Sequence, residues 1–311
     1  MVLLVLVGSF VGPKSAKAAN PVSNADDLVA QHLDSIASPD VRAKLKTRVA
    51  QGPVEYKILI GGAGTAQGRV QMASDGKKII FMMKLSNNVY LGEQFIFNGD
   101  KVGVAFSTAQ HQRSAFGSFL LAQDAIVREG LLGGTLSTAW PLLDLKDRKA
   151  KLSFEGLKKI DGQELYALRY RPKKSSDLEI SLYFDPQTYH HVETVYYLES
   201  STSFADFGPS GAVGLAPGSG GQQGGANSAT GGTQGSGTAE TARARQFPNR
   251  YRLTEKFSDF KAVDGVTLPT HEDIQFSQEL QNGRTILWDF NLTGLEIGNN
   301  VPVDPRNFEV K

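Results

Sequence analysis

Most of this chain alternates apolar and polar residues, and one long apolar stretch breaks the alternation. Residues Ser114 to Leu145, SAFGSFLLAQDAIVREGLLGGTLSTAWPLLDL, lie between two blocks of strand-like sequence and have helical spacing instead. Phe116, Phe119, Leu120, Gln123, Ile126 and Val127 follow the i, i+3, i+4, i+7 rule, so this segment is expected to form a helix with one oily stripe. Gly130 can end that helix in a left-handed conformation. Thr138 is placed to cap a second short helix with Pro141 in its first turn, burying Trp140 and Leu143.

The first block begins at Val54. Residues Lys78 to Leu85, KIIFMMKL, put Ile79, Phe81, Met83 and Leu85 on one face and Ile80 and Met82 on the other, so both faces are expected to meet apolar material. Val89 to Phe97 and Lys101 to Phe106 are joined by the turn Asn98-Gly99-Asp100. The second block runs from Lys151 to Leu198, and its clearest strand points Leu178, Ile180, Leu182 and Phe184 one way and Glu179, Ser181 and Tyr183 the other. After Tyr251 the alternation resumes, and Ile286, Trp288, Phe290 and Leu292 share a face. Ahead of all this, Asn24 can cap a helix bearing Leu28, Val29, His32, Leu33 and Ile36. A second helix starts at Pro39 with Val41, Leu45 and Val49 on its stripe, and both helices read as peripheral.

Helices at the start and middle of a hairpin series imply an α+β fold. The expectation is a curved antiparallel half-barrel sheet of about ten or eleven strands, its concave face covered by helices.

The 311 residues carry a formal net charge of +1 and are 40% hydrophobic, enough for a large core in one domain. Near-neutrality speaks against a nucleic-acid partner. Residues 1–18 read as a secretory signal, with an apolar run from Val2 to Val11 and the small-x-small spacing Ala16-Lys17-Ala18. Residues 19–311 then form a single domain, interrupted by a loop at 207–242. Between Gly208 and Gly237 there are 12 glycines in 30 residues, too few apolar groups to offset the entropy of ordering. Without cysteine there is no lipid-modified N-terminal residue and no thiolate metal site, so the expected address is the periplasm, unanchored.

Catalytic chemistry is not indicated. Gly61-Gly62-Ala63-Gly64 lacks the GK[ST] of a phosphate loop and leads into a strand, which makes it a hairpin tip. His190 and His191 are adjacent on a strand, point to opposite faces and read as surface residues unable to share a metal ion. His271-Glu272-Asp273 has no nucleophile elbow with it. No catalytic residue, metal or cofactor is assigned.

The order of these elements resembles the LolA-like outer-membrane lipoprotein-sorting proteins. The likeness rests on the turn at Asp75 to Lys78, the NGDKV turn at Asn98 to Val102, the apolar insert, LYFDPQTYHHVETVYY from Leu182 to Tyr197, and VDGVTLPT from Val263 to Thr270. It implies an open half-barrel that binds acyl chains of a lipoprotein or a lipid in a hydrophobic cavity. It also implies a monomer exchanging with an inner-membrane donor and an outer-membrane acceptor. The expected cavity wall comprises Phe81, Met83, Phe95, Phe97, Phe106, Phe119, Leu120, Leu132, Trp140, Leu182, Phe184, Trp288 and Phe290. Such residues also fill solid cores, and the resemblance is what favours a cavity. An arginine that locks the helical lid is a feature of such carriers; Arg69 lies in the corresponding region, and the role is not assigned to it. A second reading keeps the fold but makes the protein an envelope sensor or scaffold for a membrane-protein partner.

Overall fold

The computed structural model describes residues 22–86, 90–106, 113–174, 177–201 and 248–310. The expected signal segment and the glycine-rich loop lie outside them.

Among the described residues thirteen strands form one antiparallel sheet, where ten or eleven were expected. They are β1 (Thr47–Ile60), β2 (Gly64–Asp75), β3 (Lys78–Leu85), β4 (Glu93–Phe97), β5 (Val102–Phe106), β6 (Lys151–Ile160), β7 (Gln163–Arg171), β8 (Glu179–Phe184), β9 (His191–Ser200), β10 (Asn249–Val263), β11 (Val266–Glu279), β12 (Thr285–Leu292) and β13 (Glu296–Asn299). The spatial order is β5-β4-β3-β2-β1-β12-β11-β10-β9-β8-β7-β6, with β13 against the start of β1. Each half is a run of hairpins, as the turn residues dictate. The halves are joined by β1 and β12, which pair from Val54↔Leu292 to Ile60↔Leu287. The sheet curves but does not close into a barrel.

Two differences from the sequence reading concern boundaries. Val49 belongs to β1 rather than to a helical stripe, because the second helix, α2 (Pro39–Lys44), ends before it. The last apolar run divides at Thr293-Gly294, where Gly294 takes a φ of +58°, so that β13 pairs with a different stretch of β1 than β12 does.

The order of strands explains the apolar insert. β5 and β6 follow each other in sequence but are the two outer edges of the sheet. The chain between them must therefore cross one face of the sheet, and it crosses the concave one as a strap. Its oily stripe is what lets it lie there. The strap contains α3 (Ala115–Ala122), α4 (Ala125–Arg128), short 3₁₀ turns at Gly134–Leu136 and Pro141–Leu143, and α5 (Leu145–Arg148). The single helix expected from Phe116 to Val127 is thus two, broken at Gln123 and Asp124. Gly130 supplies the expected left-handed stop, with φ +68°. Thr138 caps no helix: its N–H donates to Ser74 Oγ at 2.9 Å, and Trp140 precedes the second 3₁₀ turn.

At the N-terminus, α1 (Ala25–Ile36) is capped as expected, with Asp27 N donating to Asn24 Oδ1 at 2.9 Å. It is less peripheral than its sequence suggests, since Leu28 and His32 are fully buried. The convex face of the first half is covered too: Phe308 packs with Ala73, Ile80 and Ile96, which accounts for the apolar residues on both sides of β3. Among the described residues, no helix is long and apolar enough to cross a membrane.

Candidate functional site

The concave face and the strap meet in a continuous apolar interior. Phe81, Met83, Phe95, Phe119, Leu120, Leu132, Trp140, Leu182, Phe184 and Phe290 are fully buried there, and Phe97 nearly so. Trp288 is only half-buried and stands at the rim with Tyr90, their ring centroids 5.7 Å apart. The Phe106 side chain lies outside the described residues. The structure thus brings most of the expected wall together in one cluster.

The two sides of that interior touch. Phe116 of α3 lies 5.3 Å from Phe95, 5.5 Å from Phe276 and 5.4 Å from Phe290, centroid to centroid. One turn on, Phe119 stacks on Tyr251 at 5.7 Å and meets Phe276 at 5.5 Å. The strap occupies the hollow of the sheet with its own rings. The expected wall included Phe119 but not Phe116, Tyr251 and Phe276, although Phe116 was already on the expected oily stripe and period-two spacing could have added the other two.

Polar contacts fix the strap around the edge of this oily zone. At its start, the buried Glu93 accepts from Ser114 N at 3.0 Å, Ser114 Oγ at 2.6 Å and Tyr90 OH at 3.1 Å. Burial raises the Glu93 carboxyl pKa above its ordinary value, and the Ser114 and Tyr90 hydrogen bonds act against that rise. Gly117 makes the approach possible, since a Cβ there would sit 2.2 Å from Glu93 Oε1. Farther along, Arg128 Nη1 donates to the Asp100 carbonyl at 2.9 Å.

At the centre of the strap, Gly133 N donates to Glu255 Oε1 at 2.6 Å, and Tyr196 OH donates to Glu255 Oε2 at 2.7 Å. Glu272 is buried beside Glu255. Burial raises both carboxyls; Glu255 raises Glu272 further, whereas the hydrogen bonds of Gly133, Tyr196 and Glu272 act against the rise at Glu255, so the pair retains a proton above the ordinary carboxylate range.

The buried Arg48 of β1 reaches the strap from the sheet. Its Nη1 donates to the Thr135 carbonyl and its Nε to Asn299 Oδ1 at 2.8 Å. Both acceptors are neutral, and burial lowers the guanidinium pKa to about 10. Arg69, in the region of interest at the sequence level, is exposed. The arginine that holds the strap is 21 positions earlier, and its signal was only that of a charged residue at an inward-facing strand position.

At the far end, Trp140 Nε1 donates to His32 Nε2 at 3.1 Å, while His32 Nδ1 donates to the Tyr189 carbonyl at 3.0 Å. That arrangement fixes a neutral tautomer, and burial lowers the His32 pKa to about 4. His191 is fully buried rather than at the surface as expected. Its ring lies 4.5 Å from Trp140, and Nε2 meets Thr194 Oγ1 at 2.8 Å. The other ring, His190, points away and stacks on Phe260 at 4.3 Å, so the two do face opposite sides. Among the described residues, no cluster of three His, Asp or Glu could hold a metal ion.

No family model and no curated protein matches this sequence. Several solved structures are similar to it over nearly their whole length, among them the following three. A DUF1329 family protein from Desulfovibrio piger is 11% identical, with a TM-score of 0.45 over 91% of this chain and 96% of that one. A LolA superfamily protein from Nitrosomonas europaea is 13% identical, with a TM-score of 0.43 over 93% and 98%. A putative outer membrane lipoprotein-sorting protein domain from Vibrio parahaemolyticus is 10% identical, with a TM-score of 0.40 over 90% and 95%.

Proposed function

We propose that this protein is a non-enzymatic carrier of the bacterial envelope that takes acyl chains of lipoproteins or lipids into its concave face by displacing the strap. The supporting observation is the division of labour just described. The strap's directional bonds include those at Glu93, Asp100, Ser74, Arg48, Glu255 and His32, whereas Phe116 and Phe119 meet the sheet through ring contacts. Non-directional contact can be replaced by any apolar group of similar volume. At about 0.8 kcal/mol for each buried CH₂, a C16 chain supplies roughly 10 kcal/mol, against about 2–3 kcal/mol for burial of each displaced Phe side chain.

Export to the periplasm as a single unanchored domain belongs to the same proposal. The expected test is native mass spectrometry of delipidated protein mixed with fatty acid, phospholipid and acylated peptide. Uptake of at least one at a defined stoichiometry is predicted; a folded protein that takes up none of them refutes the carrier reading.

A further inference from the structure

The near-neutral net charge conceals a local excess. Residues 146–174 carry ten Lys or Arg against four Asp or Glu, in a chain whose formal net charge is +1. Folding gathers part of this excess at one end of β6, β7 and β8. Lys151 and Arg171 are directly paired across β6 and β7, and Arg169 is two positions along on the same face. Like charges directly opposite in a ladder destabilise a sheet, so this pairing is a local cost.

The three guanidinium and ammonium neighbours are not equivalent. Arg169 is held by two carboxylates, with Nε 3.0 Å from Glu155 Oε1 and Nη1 3.3 Å from Glu179 Oε2. Lys151, Arg171 and Lys173 are exposed, and among the described residues none of them has an ion-pair partner. Together with Asp177 and Glu179 they line a concavity of ≈ 510 Å³, floored by Tyr170, Leu178 and Ile180, all buried. With Glu179 engaged by Arg169, three cations face one carboxylate, Asp177. The floor is tied to the strap, since Tyr170 OH donates to Glu129 Oε2 at 2.8 Å.

We propose that this concavity is a binding site for a phosphate-bearing anion, with the headgroup of an anionic phospholipid as the occupant. Three exposed cations around a buried floor suit a compact phosphate. The source follows from the carrier reading, on which this inference rests: a protein that exchanges acyl chains with membranes meets phospholipid phosphate at their surface.

The test compares three proteins: wild type, the triple variant Lys151→Gln/Arg171→Gln/Lys173→Gln, and a charge-matched control, Lys84→Gln/Lys101→Gln/Lys261→Gln, at exposed positions elsewhere. Each is sedimented with vesicles of phosphatidylcholine alone or with one quarter phosphatidylglycerol, and separately titrated with inorganic phosphate. Wild type and control should bind the anionic vesicles, and the site variant should bind about a hundredfold more weakly, from about fivefold for each of the three cations removed. Saturable phosphate binding without vesicle binding, lost in the site variant, supports the site but names free phosphate as its source. Equal vesicle and phosphate binding by all three proteins, or equal loss in both variants, overturns the site. Acyl uptake measured in parallel separates the two proposals, because the site variant retains the buried wall and should load normally.

Discussion

Trp140 and His32 are joined by a hydrogen bond of 3.1 Å in which the indole donates and the imidazole accepts, pinning the end of the strap to α1. This bond requires a neutral ring. The His32 pKa falls from 6.5 in the unfolded chain to about 4 in the fold, chiefly through burial. A depressed histidine contributes stability that is complete above pH 6.5 and is lost as the pH falls through 4, because the unfolded chain takes up the proton first. The contribution is on the order of 3 kcal/mol. Melting temperature should therefore decline between pH 6.5 and 4, and His32→Gln should flatten that decline without abolishing it, since His191 is shifted the same way. Parallel pH profiles of the two proteins would refute the assignment.

The carboxyl pair works in the opposite direction. Glu255 and Glu272 both have raised pKa values, so the folded state holds a proton that the unfolded state has released. Their contribution is fully present below the ordinary value of 4.5 and is lost as the pH rises from there toward neutral. Glu272→Gln keeps the shape and removes the titration. It is expected to raise stability near neutral pH while leaving it unchanged at pH 4, as read by chemical denaturation.

Gly117 leaves no room for a side chain at the start of the strap. A Cβ there would lie 2.2 Å from Glu93 Oε1, and the first turn of α3 would have to lift off the carboxylate. Gly117→Ala is expected to cost about 1–3 kcal/mol, the scale of leaving buried polar partners unpaired. Amide exchange at Ser114 and Gly117 should rise at the same time.

Arg48 is predicted to control how readily the strap opens. Arg48→Met removes its bonds to the Thr135 carbonyl and Asn299 but keeps an apolar stem. An apolar dye should bind the variant more strongly, and amides 131–140 should exchange faster, with β7 to β9 unchanged. Unaltered exchange across the strap would contradict this role.

Much of the architecture was legible because period-two alternation is local. KIIFMMKL declares two covered faces by itself, and NGD declares its turn. The long-range pairings were not legible: nothing at β5 or β6 announces that these strands are opposite edges, which is what makes the insert a strap. Arg48 was missed because a lone arginine on a strand looks solvated until the Thr135 carbonyl is placed above it. His191 was misread because adjacent histidines show that two faces are used but not which one is buried.

The most direct test of strap displacement is hydrogen exchange over residues 113–150, with and without a bound acyl ligand. If an acyl chain takes the place of Phe116 and Phe119, exchange from Phe116 to Gly130 should rise in the loaded protein while β3, β4 and β11 stay protected. A ligand that binds while the strap keeps its unliganded protection would contradict the account.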